Sequence, residues 1–314
     1  MWLYFLKRLG LAVIVVLIVI AVLFVMTYAI PGDPARVALG PRASEELVAE
    51  FRERIGLDRP ILVQMGNFYL SLFQGDLGRD AISGEPVLRI LLSQFPDTLY
   101  LVLGAVIVAV VPGILLGIMA ARHRGSLLDR VTSVISVSVM SVPAFVIAIY
   151  LLLVFSIQLG WFPAIGAGEG FWDKLHRLVL PSLALGLAWI GYVARILRAS
   201  ILEEMNESHV RTARAFGLPE NRIMYDYVLR IAILPTITVL GIGIGHMLSG
   251  AVFAEIVFAR PGIGKLVFDA IISRNYPLVT GAVLLTTVFF VFVNLLADLL
   301  IAWLDPRVRH DLAG

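Results

Sequence analysis

Six apolar stretches, at about residues 9–30, 97–121, 130–158, 179–199, 232–254 and 279–304, leave this chain few ways to fold. A hydrocarbon core about 30 Å thick is crossed by roughly 20 helical residues, and each stretch reaches that length. In lipid the backbone must satisfy its own hydrogen bonds, so a run of this kind is expected to be helical. Composition agrees: of 314 residues, 59% are apolar and 15% charged, against roughly 25% charged in an ordinary soluble domain. The fold expected is an all-α membrane protein with six transmembrane helices. The first stretch exceeds the roughly 7–15 apolar residues of a signal-peptide core, and no small-x-small cleavage site precedes "PGDP", so it reads as a retained anchor.

Orientation follows from where Lys and Arg fall. With the N-terminus inside, cytoplasmic segments hold Lys7, Arg8, Arg122, Arg124, Arg130, Arg195, Arg198, Arg211, Arg214, Arg222, Arg230, Arg307 and Arg309. The short outer loops then hold Lys174, Arg177, Arg260, Lys265 and Arg274. The segment 31–95 is long enough to be translocated regardless of its arginines. Both termini are therefore expected in the cytoplasm. The net charge of +2 needs no nucleic-acid partner to explain it. No cysteine is present, so neither disulfides nor thiolate metal sites can form.

Four segments follow: a first transmembrane helix at 1–30, an extracytoplasmic helical cap at 31–95, a five-helix core at 96–304 that includes a cytoplasmic loop at 200–231, and a cytoplasmic tail at 305–314. Within the cap, Ser44 suits an N-cap, Leu47, Val48, Phe51 and Ile55 share helical spacing, and Gly56 suits a C-cap. A second helix starts with Pro60 at the first helical position and stops at Gly75. "GDLGRDAISGEP" reads as turns. Gly113, Gly117, Gly186, Gly191, Gly241, Gly243, Gly245 and Gly250 give spans two, four and five small faces, suited to close packing or to a moving seam. Ionisable groups at membrane depth are functional candidates because charge there is costly: Asp298, Glu255 and His246. Asp298 also suits the cytoplasmic interface, and His246 a neutral hydrogen-bonded ring. The chain shows no run of carboxylates for a proton relay.

The stretch "HVRTARAFGLPENRIMYDYVLRIAILP", residues 209–235, is the polar exception. It is helix-competent up to Gly217, a C-cap candidate, and restarts at Pro219 and Glu220, which predicts two short helices at a sharp angle. Ala213 and Gly217 lie four residues apart, a spacing that puts both on one face where a partner's groove could close on backbone. Arg211 and Arg214 flank that face, available to carboxylates of another protein. The plainer reading is the basic inner loop of any helical bundle.

"RTARAFGL" followed by "VLRIAILP" resembles the coupling-helix region of inner-membrane permease subunits of ABC importers, in the variant of oligopeptide, dipeptide and nickel uptake systems, the binding-protein-dependent transport family. The resemblance spans nearly the whole chain: "IPGDP" (30–34), "GLDRPILVQ" (56–64), "GDLGRD" (75–80), "FARPGIGKLVFDAI" (258–271), "RNYPLV" (274–279) and "DPRVRH" (305–310) stand in the family's order. It implies a multi-pass subunit of the bacterial cytoplasmic membrane with no catalytic residue and no cofactor of its own. ATP and Mg would be bound by two partner ATPase subunits, beside a second permease subunit and an extracytoplasmic substrate-binding protein. Arg211, Ala213, Arg214, Gly217 and Leu218 would form the contact with an ATPase, the coupling helix itself lying at about 206–217. Ser138, Ser141 and Pro143 in span three and Gly245, Ser249 and Glu255 in span five are the candidates for the translocation pathway.

The chain departs from the family at Arg211, where the general motif has glutamate, at Phe216 for lysine, Ile231 for asparagine and Asp80 for serine, which bears on contact details. "PGIGKL" is no phosphate loop, since G-x-x-x-x-G-K-[ST] fails in spacing and Leu266 follows the lysine. Peptides are the expected cargo by family frequency, with nickel, glutathione, opines and oligosaccharides as alternatives. An ion-coupled secondary transporter would need intramembrane ion-coordinating groups. An intramembrane hydrolase would need a third partner for His246 and Ser249, which are one helical turn apart.

Overall fold

A computed structural model of the protein describes residues 2–29, 34–39, 43–56 and 58–304. Residues 30–33 of "IPGDP", and "DPRVRH" with the tail 305–314, lie outside the described residues. Among the described residues every regular element is helical, apart from one isolated bridge between Arg79 and Pro86. In chain order the helices are α1 (Trp2–Ala29), α2 (Pro34–Leu39), α3 (Glu45–Ile55), α4 (Ile61–Phe73), α5 (Val87–Arg122), α6 (Leu127–Met140) and α7 (Ala144–Leu151), which runs on as a π-helical turn, Leu152–Gln158. Then come α8 (Gly170–Glu204), α9 (Ser208–Ala215), α10 (Glu220–Arg222), a π-helical turn at Ile223–Val228, α11 (Leu229–Ala232), α12 (Leu234–Val257), α13 (Ile263–Ile272) and α14 (Tyr276–Leu304). Four of these, α5, α8, α12 and α14, are long and apolar enough to cross a membrane, and a fifth crossing arises if the bent α6–α7 pair is one span. α1 covers the first apolar stretch.

The third stretch is not the continuous helix its hydropathy predicts. It breaks between Met140 and Ala144, with the two halves bent by 98°. Pro143 has no N–H to give and its ring disfavours helix at Val142. Its carbonyl instead starts α7, accepting from the amides of Val146 (3.0 Å) and Ile147 (3.3 Å). α5 and α8 overrun their predicted spans, beginning at Val87 and Gly170. Hydropathy marks only the lipid-facing part of a helix, and at about 1.5 Å per residue these two exceed any bilayer core.

α5 and α8 form the central pair, and glycine sets their distance. A Cβ on Gly186 would lie 2.7 Å from the Ala105 carbonyl oxygen, and one on Gly113 2.7 Å from Val193 Cγ1. Gly191 brings α6 equally close, its would-be Cβ falling 2.7 Å from Ser136 Cα. α12 joins through Met247, Leu248, Ala251 and Ala254, buried against Leu101, Val102, Ala105 and Ala109 of α5. Side chains of this size let backbones approach and gain dispersion where no hydrophobic effect drives helices together.

The cap forms as its sequence implies. The Ser44 hydroxyl accepts from the Leu47 amide at 3.3 Å, and Gly56 closes α3 at φ 71°. Val48 and Phe51 are buried beside Ala35 and Ala81, while Leu47 faces out. Pro60 sits one position before α4, as its N-cap. α4 lies against α1, where the Tyr69 hydroxyl donates to the Leu17 carbonyl at 2.8 Å.

Candidate functional site

The polar loop folds as two helical pieces hinged at Phe216–Pro219. α9 ends in a Schellman turn: the Gly217 amide donates to the Arg214 carbonyl (2.9 Å) and the Leu218 amide to that of Ala213 (3.2 Å). The turn requires a left-handed residue, and Gly217 supplies it at φ 75°. Pro219 then serves as the N-cap of α10. The loop has its own core, in which Val210, Ala213, Ile223, Met224 and Val228 are buried against Ile118 and Ala121 of α5 and Leu197 and Ile201 of α8. The loop is thus packed directly onto the ends of α5 and α8.

Two expectations fail here. Ala213 and Gly217 do not share an outward face: Ala213 is buried, and the left-handed turn takes Gly217 off the helix surface to an exposed tip. Arg214 is not free for a partner's carboxylate. It holds Glu220 through Nε at 2.7 Å and Nη2 at 3.2 Å, stapling α9 to α10. That guanidinium keeps the Glu220 carboxyl below its ordinary range. Arg211 remains exposed, Leu218 is half-buried against the loop core, and Phe216 projects beside Gly217 with 82% of its surface accessible.

The pathway candidates separate into three places. Gly245 and Ser249 line a cleft of about 630 Å³, together with His246, Thr98, Thr286, Thr287 and apolar side chains of α1, α12, α13 and α14. The His246 ring lies beside Trp189, centroids 6.0 Å apart, and the Ser249 hydroxyl donates to its own helix at Gly245. Ser138 and Ser141 are remote from this cleft, at the α6–α7 break with Pro143, and their hydroxyls donate to Val134 and Val137 carbonyls. Asp298 lies in the inner half of α14, away from the cleft lining.

Glu255 is not in the lining of that cleft; it is wholly buried. One carboxylate oxygen accepts from the Thr98 hydroxyl at 2.6 Å and the other from the Lys265 amide at 2.8 Å. Thr98 in turn accepts from the Ile263 amide at 2.8 Å. The acid thus caps α13, whose first amides would otherwise be orphaned. Gly262 is glycine because any Cβ there would run into that carboxylate, and Gly264 because its Cβ would lie 2.6 Å from Val252 Cα. "ARPGIGK" is accordingly a turn that folds back onto α12.

The comparisons decide what this arrangement belongs to. Residues 113–310 match the family described as "Binding-protein-dependent transport system inner membrane component", and residues 1–102 match its N-terminal companion, "Binding-prot-dependent transport system membrane comp, N-term". The chain belongs to this family of ABC importer permeases. It is a multi-pass inner-membrane subunit. Relatives named glutathione transport system permease protein GsiC, from Salmonella choleraesuis and Escherichia coli, are each 38% identical over 98% of this chain and 99% of their own length. That of Pectobacterium atrosepticum is 37% identical over the same shares. An inward-facing structure of the MetNI methionine ABC transporter superposes with a TM-score of 0.58 at 17% identity, covering 69% of this chain and 97% of that one. At that identity it shows the fold.

Two ties in the permease went unnoticed in its sequence. Near the C-terminal end of α8, Arg198 holds Asp129 of α6 with both prongs, at 2.5 and 2.7 Å, and Asp129 also accepts from the Gly125 amide. The cue was an acid in a basic turn with an arginine late in the next span. At the outer end, Asp80 accepts from Asn275 and from the Ser83 amide (2.6 Å) and hydroxyl (2.7 Å), binding the cap loop to the α13–α14 turn. Burial pushes the Asp80 carboxyl up, but the donors Ser83, Asn275 and Ile82 outweigh it and hold the group below its ordinary value. A lowered folded-state pKa stabilises above the unfolded value and is lost as pH falls through the folded one. The tie is therefore constant at neutral and mildly acid pH and fails only below about pH 4. Asp80→Ala leaves the buried Asn275 amide without this acceptor, while the exposed Ser83 and Ile82 donors turn to water, and costs about 1 kcal/mol. The check is limited proteolysis at 75–87, expected to accelerate in the variant and, in the parent, only at strongly acid pH.

Proposed function

We propose that this permease forms half of the membrane pathway of an importer for short peptides, with glutathione, itself a tripeptide, as the foremost substrate. It works as six spans with both termini cytoplasmic. A second permease, two ATPases beneath and an extracytoplasmic binding protein complete the transporter, and nucleotide chemistry stays with the ATPases. Closure of the ATPases carries the tip at Phe216 and Gly217, and the loop core shifts α5 and α8 with it. The spans then rearrange about their small-residue seams and the α6–α7 break. Transitions of this sort switch packed elements between discrete arrangements.

The observation that carries the reading is the likeness to glutathione permeases over 98% of the chain. The packed base beneath the exposed tip supports the coupling role. The test is uptake by cells that lack other glutathione importers and carry the complete transporter. Labelled glutathione is expected to accumulate in an ATP-dependent way and to be displaced by excess unlabelled glutathione more strongly than by dialanine. Uptake of dipeptides or nickel with none of glutathione would overturn the substrate and leave the permease assignment standing.

A further inference from the structure

Beneath the central helix pair, the structure holds a second cavity, of about 390 Å³, distinct from the cleft that Gly245 and Ser249 line. It lies where α5 and α8 leave the membrane, and its wall is completed by the coupling loop. Three arginines surround it: Arg122 at the end of α5, Arg124 just after it, and Arg214 of α9. The one carboxylate in its lining, Glu220, is already neutralised by Arg214. Arg122 is fixed by a bond from Nη2 to Asn221 Oδ1 at 2.5 Å, which leaves most of its five donors unused. Arg124 is exposed and makes no hydrogen bond to the described residues. The neighbouring acid, Asp129, is taken by Arg198 at 2.5 Å. The positive-inside rule accounts for arginines on this face, but not for three of them converging on one hollow.

We propose that this cavity is an anion site for a phosphate group, and that its occupant bridges the inner end of α5 to the coupling loop. Phosphate suits the site because its several oxygens can take planar two-pronged donors from more than one guanidinium at once. With Arg214 held by Glu220, the unmatched charge comes from Arg122 and Arg124, two positive charges that a phosphate dianion balances and a single carboxylate does not. The position, at the cytoplasmic ends of two spans, is where anionic headgroups gather. A phospholipid headgroup and a free phosphate ester share the chemistry, and the test separates them. Because the coupling loop forms one wall, occupancy stiffens the loop against α5 and thereby sets how readily the loop moves with an ATPase.

The test uses the assembled transporter in detergent, with its Tm followed against dioctanoyl phosphatidylglycerol, dioctanoyl phosphatidylcholine and glycerol 1-phosphate, for the parent and for Arg122→Gln/Arg124→Gln. The parent is expected to gain several degrees with phosphatidylglycerol and little with phosphatidylcholine. The double variant should need about tenfold more ligand for the same rise, since two exposed, solvent-screened charge contacts are lost. Equal gains from glycerol 1-phosphate, lost alike in the variant, assign the site to a free phosphate ester; gains confined to phosphatidylglycerol assign it to lipid. Identical responses in parent and variant, or none in either, overturn the proposal. So does loss of the ATPases from the variant before any ligand is added, which would mean that the hollow receives a partner's acidic side chain. The readout is binding, so it stands whether or not the transporter carries glutathione.

Discussion

Gly217→Trp is expected to abolish substrate-stimulated ATP hydrolysis in the assembled transporter while the chain still inserts in the membrane and pairs with its companion permease. Two separate costs meet at this residue. One is conformational: at φ 75° a side chain is strained by about 1–2 kcal/mol, a fraction of the loop's stability. The other lies outside the chain. Among the described residues, no atom beyond Gly217's own chain neighbours comes within 4 Å of a Cβ built there, so a side chain starts into open space in the isolated subunit and the obstacle is expected in a partner's cleft. Gly217→Asn separates the two, because asparagine tolerates the left-handed region and stays small. It should keep turnover within about threefold of the parent, the loss expected from strain of under about 1 kcal/mol. If Gly217→Trp hydrolyses ATP at the parental rate on adding substrate and binding protein, this tip is not the handle. If Asn fails as badly as Trp, backbone shape and not docking is what the glycine protects.

The elements that could be read from sequence are those whose signal is local. Spans were legible because lipid demands long apolar runs, and the cap and coupling helices because Ser44, Gly56, Gly217 and Pro219 punctuate them with backbone chemistry. What escaped depends on contacts between distant segments. The bend at Pro143 was hidden because hydropathy runs through it unchanged. Helix α13 was missed because the glycines ahead of it read as a loop, although Ile263, Leu266, Val267 and Ala270 carry helical spacing. Of the candidate residues, Gly217 and Arg211 stand exposed on the loop, whereas Ala213 is turned inward by Leu197 and Val210, partners that spacing alone could not supply. Arg214 found its acid six residues away across a turn. Glu255 was singled out for being a carboxylate at membrane depth. That reasoning located a residue under strong constraint but could not show its capping contacts, because its partners Thr98 and Lys265 come from two other elements.

Glu255 also gives a test that separates capping from a role in the pathway. Glu255→Ala leaves the Lys265 amide without an acceptor and the Thr98 hydroxyl without its own, deep inside the protein. Each stranded buried donor costs about 1–3 kcal/mol, so the variant is expected to lose about 2–5 kcal/mol, with α13 the first element to open. Glu255→Gln keeps the shape but turns an amide N–H₂ toward one of the two donors, and should lose about half as much. Thr98→Val acts on the same cluster from α5, stranding the Ile263 amide, and its effect should be less than additive with that of Glu255→Ala, because both remove one network. Tm of the purified complex, with hydrogen exchange across 263–272, reads all three. A cap acting only on structure predicts that substrate uptake per correctly assembled transporter stays near the parental value in Glu255→Gln. Parental stability in Glu255→Ala together with lost uptake would reverse that assignment and return the carboxylate to the pathway. The buried geometry favours the first outcome, since a group with none of its surface exposed cannot touch a substrate until α13 has moved.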